Sequence, residues 1–180
     1  FNKKTYCPIN QRLADENPDV DAVYRLINKI PFYFEKFEDL ALGKNCWFPF
    51  NSQNTVWRKE AFQLMYLPSH CSFRLADIWR SFVAQRICWE NDWNVLHSNS
   101  TVIHKRNDHN LMKDFRDEIP GYLNNYKISQ NLNKLNLKKG TNKIPYNLIK
   151  CYENFCKNSL VSEKELILLD SWIKDVENLL

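Results

Sequence analysis

Asp19 and Asp21, in the stretch Asn17-Pro18-Asp19-Val20-Asp21, are two carboxylates one residue apart. Such a pair can hold a divalent cation that neutralises the diphosphate of a nucleotide sugar as it leaves. That chemistry ordinarily needs an apolar strand that delivers the carboxylates to the edge of a ligand crevice. The residues just before, Gln11 to Asn17, are polar and do not read as a strand. The competing reading is an acidic helix N-terminus, where negative charge meets exposed amide hydrogens.

Three further clusters carry usable groups. Asn51, Ser52, Gln53 and Asn54 follow an aromatic stretch and offer both donors and acceptors, which suits hydroxyl-rich ligands. The same side chains would serve equally as a loop capping the next helix. Asp77 opens a helix three residues after Arg74 and three before Arg80. It is either an N-cap with helical ion pairs or a supported carboxylate aimed into a cleft, where it can act as general base toward an acceptor hydroxyl. His104, Arg106, Asn107 and His109 follow a strand-like stretch, a place where histidine can ligate a metal and arginine can clamp phosphate. His70 and His97 have no such company in the sequence.

Other chemistries find little support. Three glycines leave no phosphate-cradling loop of the Walker or Rossmann kind. There is no Gly-x-Ser-x-Gly, and Cys88 falls on an apolar helix face, where a thiol is structural. Six cysteines lack zinc-ligand spacing. The formal charge of +4 arises from 25 basic and 21 acidic residues spread along the chain, so no nucleic-acid partner is expected. The Lys-rich and Asn-rich stretch Asn133–Lys143 reads as a solvated loop. Asn99-Ser100-Thr101 is the one glycosylation sequon.

The elements that must position these groups form one mixed α/β unit. Phe1 to Glu16 reads as polar and irregular, and a short helix follows Pro18 and ends near Ile30-Pro31. Trp47 to Phe50 has strand character, and Glu60 to Leu67 is a short helix stopped by Pro68. The clearest helix begins with Asp77 at its N-cap and carries Ile78, Trp79, Phe82, Val83 and Trp89 at helical spacing. Two short strands are expected at 93–97 and 101–105, then a helix from Asn110 closed by Pro120-Gly121. A helix from Pro145 and another announced by the capping box Ser162-x-x-Glu165, before Leu166, Leu169, Trp172, Ile173 and Val176, complete the chain. The division is residues 1–126 as the α/β part, 127–143 as a basic loop and 144–180 as a helical extension packed on it.

Taken in order, "NPDVDAVYRL", "CWFPFNSQNTVWRKEAF", "SFRLADIWRSFVAQRICWE" and "RNDHNLMKDFRDE" resemble the C-terminal part of the STELLO family, eukaryotic Golgi proteins assigned as glycosyltransferases. More distantly the chain is similar to the reversibly glycosylated polypeptides, the UDP-arabinopyranose mutases. The resemblance runs from about Asn17 to Gly121 and continues more weakly through the terminal helices. It implies a GT-A-like nucleotide-sugar fold, of which this chain carries the acceptor-side half with a helical extension. It also implies that the metal-binding Asp-x-Asp lies upstream of Phe1, so that Asp19 and Asp21 match a later segment.

By the same resemblance Asp77 falls where inverting enzymes keep their base, Trp79 matches a tryptophan of the mutases, and His104 matches a C-terminal metal ligand. Asn51, Gln53, Asn54, Arg74, Trp79, Arg80, Arg106, Asn107 and His109 become the substrate-side residues. The expected cofactor is a divalent metal, Mn2+, with its other ligands upstream. The expected substrates are a nucleotide sugar, a UDP-sugar, and a glycan or polysaccharide acceptor. The expected setting is the Golgi, as a single-pass membrane protein whose catalytic domain is lumenal and whose anchor lies outside this sequence, since no apolar run here approaches the ~20 residues of a span. Two alternatives stay open: a non-catalytic partner in polysaccharide synthase assembly, and a sugar-nucleotide mutase. Against the mutase, Arg80-Ser81 stand where the mutases have Ala-Gly, with one acid in place of two. The fragment alone is expected to be inactive.

Overall fold

The computed structural model describes residues 5–179. Four strands form a sheet in the order β2-β4-β1-β3. The long central pair, β1 (Tyr6–Glu16) and β4 (Trp93–His104), is parallel, and the short edge strands β2 (Leu40–Ala41) and β3 (Thr55–Trp57) are antiparallel to their neighbours. Five helices complete the fold: α1 (Ala22–Ile27), α2 (Ala76–Glu90), α3 (Leu111–Asn133), α4 (Ile144–Lys157) and α5 (Glu165–Leu179). Short 3-10 turns at Lys59–Met65 and Phe73–Leu75 lead toward α2.

β1 overturns the expectation of an irregular polar start; Phe1–Lys4 lie outside the described residues. Its Gln11 has partners inside the fold, accepting a hydrogen bond from the Thr55 hydroxyl at 2.6 Å while its amide donates to the Arg12 carbonyl. A central strand also satisfies its backbone on both sides whatever its hydropathy. The two strands expected at 93–97 and 101–105 are one, interrupted by a register shift opposite Arg12 and Ala14. Conversely, Trp47 to Phe50 belongs to no strand. Its backbone is taken up by side chains of α2, with Phe48 N–H donating to Gln85 and Phe50 N–H to Ser81.

α2 is buried from Trp79 to Trp89 and forms the middle of the core. Its polar residues are spoken for; Arg86, for one, donates to the Leu132 and Leu135 carbonyls and so closes the C-terminal end of α3. α3 does not stop at Pro120-Gly121 but runs on to Asn133, so 127–133 of the expected basic loop is helix. Tertiary contact outweighs the local stop signal here. Gly121 faces Leu75, and a Cβ at this position would lie 2.6 Å from a Leu75 methyl, so the pair packs closer than any other residue allows.

The terminal helices pack into the core, α4 through Ile144, Leu148, Cys151, Tyr152 and Phe155 and α5 through Leu169, Ile173 and Val176. Glu165, however, is no capping-box partner. It is fully buried and accepts hydrogen bonds from the Tyr66 hydroxyl, the Ser69 and His70 amides and the His70 ring. Burial would raise its carboxyl, but those donors outweigh it and hold it below the usual glutamate value. Among the described residues no helix is long and apolar enough to cross a membrane.

Glu165→Ala leaves these donors buried without an acceptor. A loss of about 3 kcal/mol in urea unfolding at pH 7 is expected. Because the folded-state value is depressed, this contribution is present above the unfolded value and is lost as pH falls through the folded one. The gap between wild type and variant therefore narrows below about pH 4.

Candidate active site

After β1 the chain turns through Asn17 to Asp21, and its charges enter a connected set of ion pairs. Asp19 Oδ1 lies 3.2 Å from Arg106 Nη1 and 3.5 Å from Arg74 Nη1. Arg74, in the turn before α2, also holds Glu118 of α3 at 2.7 Å, and the other Glu118 oxygen accepts the Ala22 amide at 2.8 Å. Arg106 continues to Asp114 at 3.1 Å, which His109 also contacts. Asp21 caps α1 by accepting the Tyr24 amide. The strand that a metal-binding Asp-x-Asp needs is therefore present after all. The two carboxylates are nevertheless engaged elsewhere, Asp19 with two guanidinium groups and Asp21 with a helix N-terminus.

The amide-rich loop is turned toward the chain's own backbone. Gln53 accepts the Asp19 amide at 2.9 Å, Asn51 donates to the Asp19 carbonyl at 3.3 Å, and Asn54 donates to the Leu13 carbonyl at 2.7 Å and to Thr101. Arg80 is buried beneath the loop, its guanidinium 4.9 Å from the Trp57 ring centre and its Nη2 donating to Ser52. Trp79 is turned into the core, where its indole donates to Asn125. Asn54, Trp79 and Arg80 thus lie at neither cleft described next, Asn51 lines the larger one and Gln53 the smaller.

Two clefts meet at a common wall of Asp19, Arg74 and Asp77. The larger, about 650 Å3, is walled by Tyr24, Phe34, Phe37, Phe48 and Tyr122 and reaches His97; its charged residues are Asp19, Asp21, Asp77 and Glu118 against Arg74 alone. The smaller, about 480 Å3, is lined by His104, Lys105, Arg106, Asn107 and His109. One cleft is aromatic with an excess of carboxylates, and the other is basic.

Asp77 is the second residue of α2 rather than its N-cap, which is Leu75. Its Oδ2 accepts the Ser52 amide at 2.9 Å and so caps the amide loop instead of its own helix. Burial pushes the Asp77 carboxyl above its ordinary value, with the Ser52 amide and Arg80 acting in the opposite direction. His104 has Nδ1 2.7 Å from the Asn17 carbonyl. Since a carbonyl only accepts, Nδ1 carries the proton and Nε2 is left as the ligating or accepting atom. Among the described residues no group of three or more His, Cys, Asp or Glu is placed to hold a metal. These residues alone do not build a divalent-cation site.

His97 is the cleft residue that the sequence reading passed over. Its only trace there is alternation along the second central strand, which puts it on the buried face with Trp93 and Val95. His70, likewise set aside, is the partner of Glu165.

A mixed sheet with helices packed on it, and a supported carboxylate where a basic cleft meets an aromatic one, is consistent with a glycosyltransferase domain. The family model described as STELLO glycosyltransferases matches residues 74–180, more than half of the chain, and the chain belongs to that family. It is similar to the probable glycosyltransferase STELLO2 of Arabidopsis thaliana, 33% identical over 88 residues that cover 46% of this chain and 12% of the relative. To the probable glycosyltransferase STELLO1 of the same plant it is 31% identical over 88 residues, 46% of this chain and 11% of that protein. The aligned part thus spans roughly an eighth of these curated relatives.

If Asn54 is a staple and not a ligand, Asn54→Ala costs about 1–2 kcal/mol in urea unfolding. Calorimetry should then show an unchanged affinity for UDP-sugars. Lost affinity at unchanged stability would return Asn54 to the site.

Proposed function

We propose that the protein of which this chain is part is a glycosyltransferase that moves a sugar from a nucleotide donor, a UDP-sugar, to a hydroxyl of a glycan or polysaccharide, with Asp77 as general base. The observation that carries this reading is the position of Asp77 on the wall between two clefts of opposite character. The basic cleft suits the donor diphosphate, through Lys105, Asn107 and His104 with Arg106 and Arg74 behind them. The aromatic cleft suits the acceptor. In the reaction the acceptor oxygen forms a bond to the anomeric carbon, its proton passes to the Asp77 carboxylate, and the bond to the diphosphate breaks with its electrons staying on the leaving oxygen.

A carboxyl raised by burial is a better base than an ordinary aspartate. A GT-A-like arrangement, a Golgi location and a membrane anchor outside residues 1–180 belong to this reading on the strength of family membership. His104 Nε2 would supply one ligand to manganese, with further ligands from elsewhere in the protein.

The test is Asp77→Asn in the full-length protein. Transfer from UDP-sugar should fall by about 10²–10⁴-fold in kcat with donor affinity little changed. In the wild type the acid limb of kcat/KM, where rate rises as Asp77 loses its proton, should lie above the ~3.9 of an ordinary aspartate. Undiminished transfer by the variant would remove Asp77 as base. Absence of any UDP-sugar binding would favour a non-catalytic role beside a polysaccharide synthase.

A further inference from the structure

His97 stands near the middle of β4, opposite Gln11 on one side and Leu40 on the other, and only 7% of its surface is exposed. Its ring meets Phe48 edge to face at 4.5 Å between centroids. Neither ring nitrogen has a hydrogen-bond partner among the described residues, and desolvation is the one influence on its titration. What His97 faces is the aromatic cleft.

We infer that this cleft is a subsite for an uncharged saccharide and that His97 is the residue that hydrogen-bonds it. The inference rests on the reading above for the acceptor side of the site, and it deepens that reading by naming the ligand class. Three observations support it. Burial holds the imidazole below its usual value and hence neutral, with one N–H donor and one bare nitrogen acceptor, the complement of a sugar hydroxyl. Phe37, Phe48 and Tyr122 line the cleft and remain 39%, 53% and 52% exposed, so aromatic surface is left open where the C–H face of a sugar ring can rest. The carboxylates of Asp19, Asp21, Asp77 and Glu118 outnumber the single guanidinium of Arg74, which disfavours uronates and phosphates. An anionic ligand belongs instead in the neighbouring basic cleft.

The experiment is calorimetry on the full-length protein with cellotetraose, mannotetraose and galactotetraose as neutral probes and trigalacturonate as the anionic one. At least one neutral probe should bind, and trigalacturonate should bind about tenfold more weakly or not at all. His97→Phe, which keeps the ring but not the hydrogen bonds, should weaken the neutral probe about tenfold, and His97→Asn should recover part of the loss. Phe48→Leu should weaken it through the lost ring face. Near-UV circular dichroism of each variant shows whether it is folded. The inference is overturned if no neutral probe binds at about 10 mM, if trigalacturonate binds as tightly, or if a folded His97→Phe binds like wild type. Asp77→Asn separates the two readings. If it leaves both transfer and saccharide binding intact, the base assignment fails while the subsite stands; if it abolishes transfer while His97→Phe binds normally, the reverse holds.

Discussion

Arg74 lies between Glu118 and Asp19, and the geometry of the site follows from that double pairing. The three residues come from the turn before α2, the body of α3 and the link after β1. These partly buried charges contribute little net stability, because desolvation cancels much of their attraction. What they supply is position: unpairing any one leaves a partner charge buried, so alternative arrangements of these segments are costly. The same wall separates the basic cleft from the aromatic one and holds Asp77 where both can reach it.

α3 shows how one helix face can serve two purposes. Asp114, Glu118, Gly121, Asn125, Ile128 and Leu132 recur at helical spacing on one side. The stripe begins with carboxylates that pair with the arginines of the site. It passes through a glycine that lets Leu75 approach and ends in aliphatic side chains within the common core. The ion-pair wall is therefore fastened to the hydrophobic core by a single rigid element, and neither can shift alone.

This layout explains which parts of the molecule were legible in the sequence. Periodic apolar positions disclosed α2, α4 and α5, because those faces are buried against other hydrophobic residues. β1 escaped notice because its Gln11 finds polar partners inside the fold, and hydropathy measures transfer to oil rather than to a matched neighbour. Pro120-Gly121 read as a helix end because the contact with Leu75 that makes the glycine useful is 46 residues distant in the chain. The loop of Asn51, Gln53 and Asn54 had the side chains of a sugar site, yet spacing alone does not tell whether an amide faces solvent or the Leu13 and Asp19 backbone. Asp77 does sit in the first turn of the helix that the sequence indicates, yet it caps the loop and not its helix. Family membership was visible in the motifs around it.

The parallel pairing of Tyr6 with Trp93 carries a consequence for how the chain reaches its fold. Everything from β1 to the end of α2 must be synthesised before the sheet's central partner exists, and long loops close slowly. A waiting strand of ordinary composition, rich in valine and isoleucine, would be a nucleus for aggregation during that interval. β1 instead carries Asn10, Gln11, Arg12, Asp15 and Glu16. The polarity that disguises it as a loop keeps it soluble until its neighbour arrives.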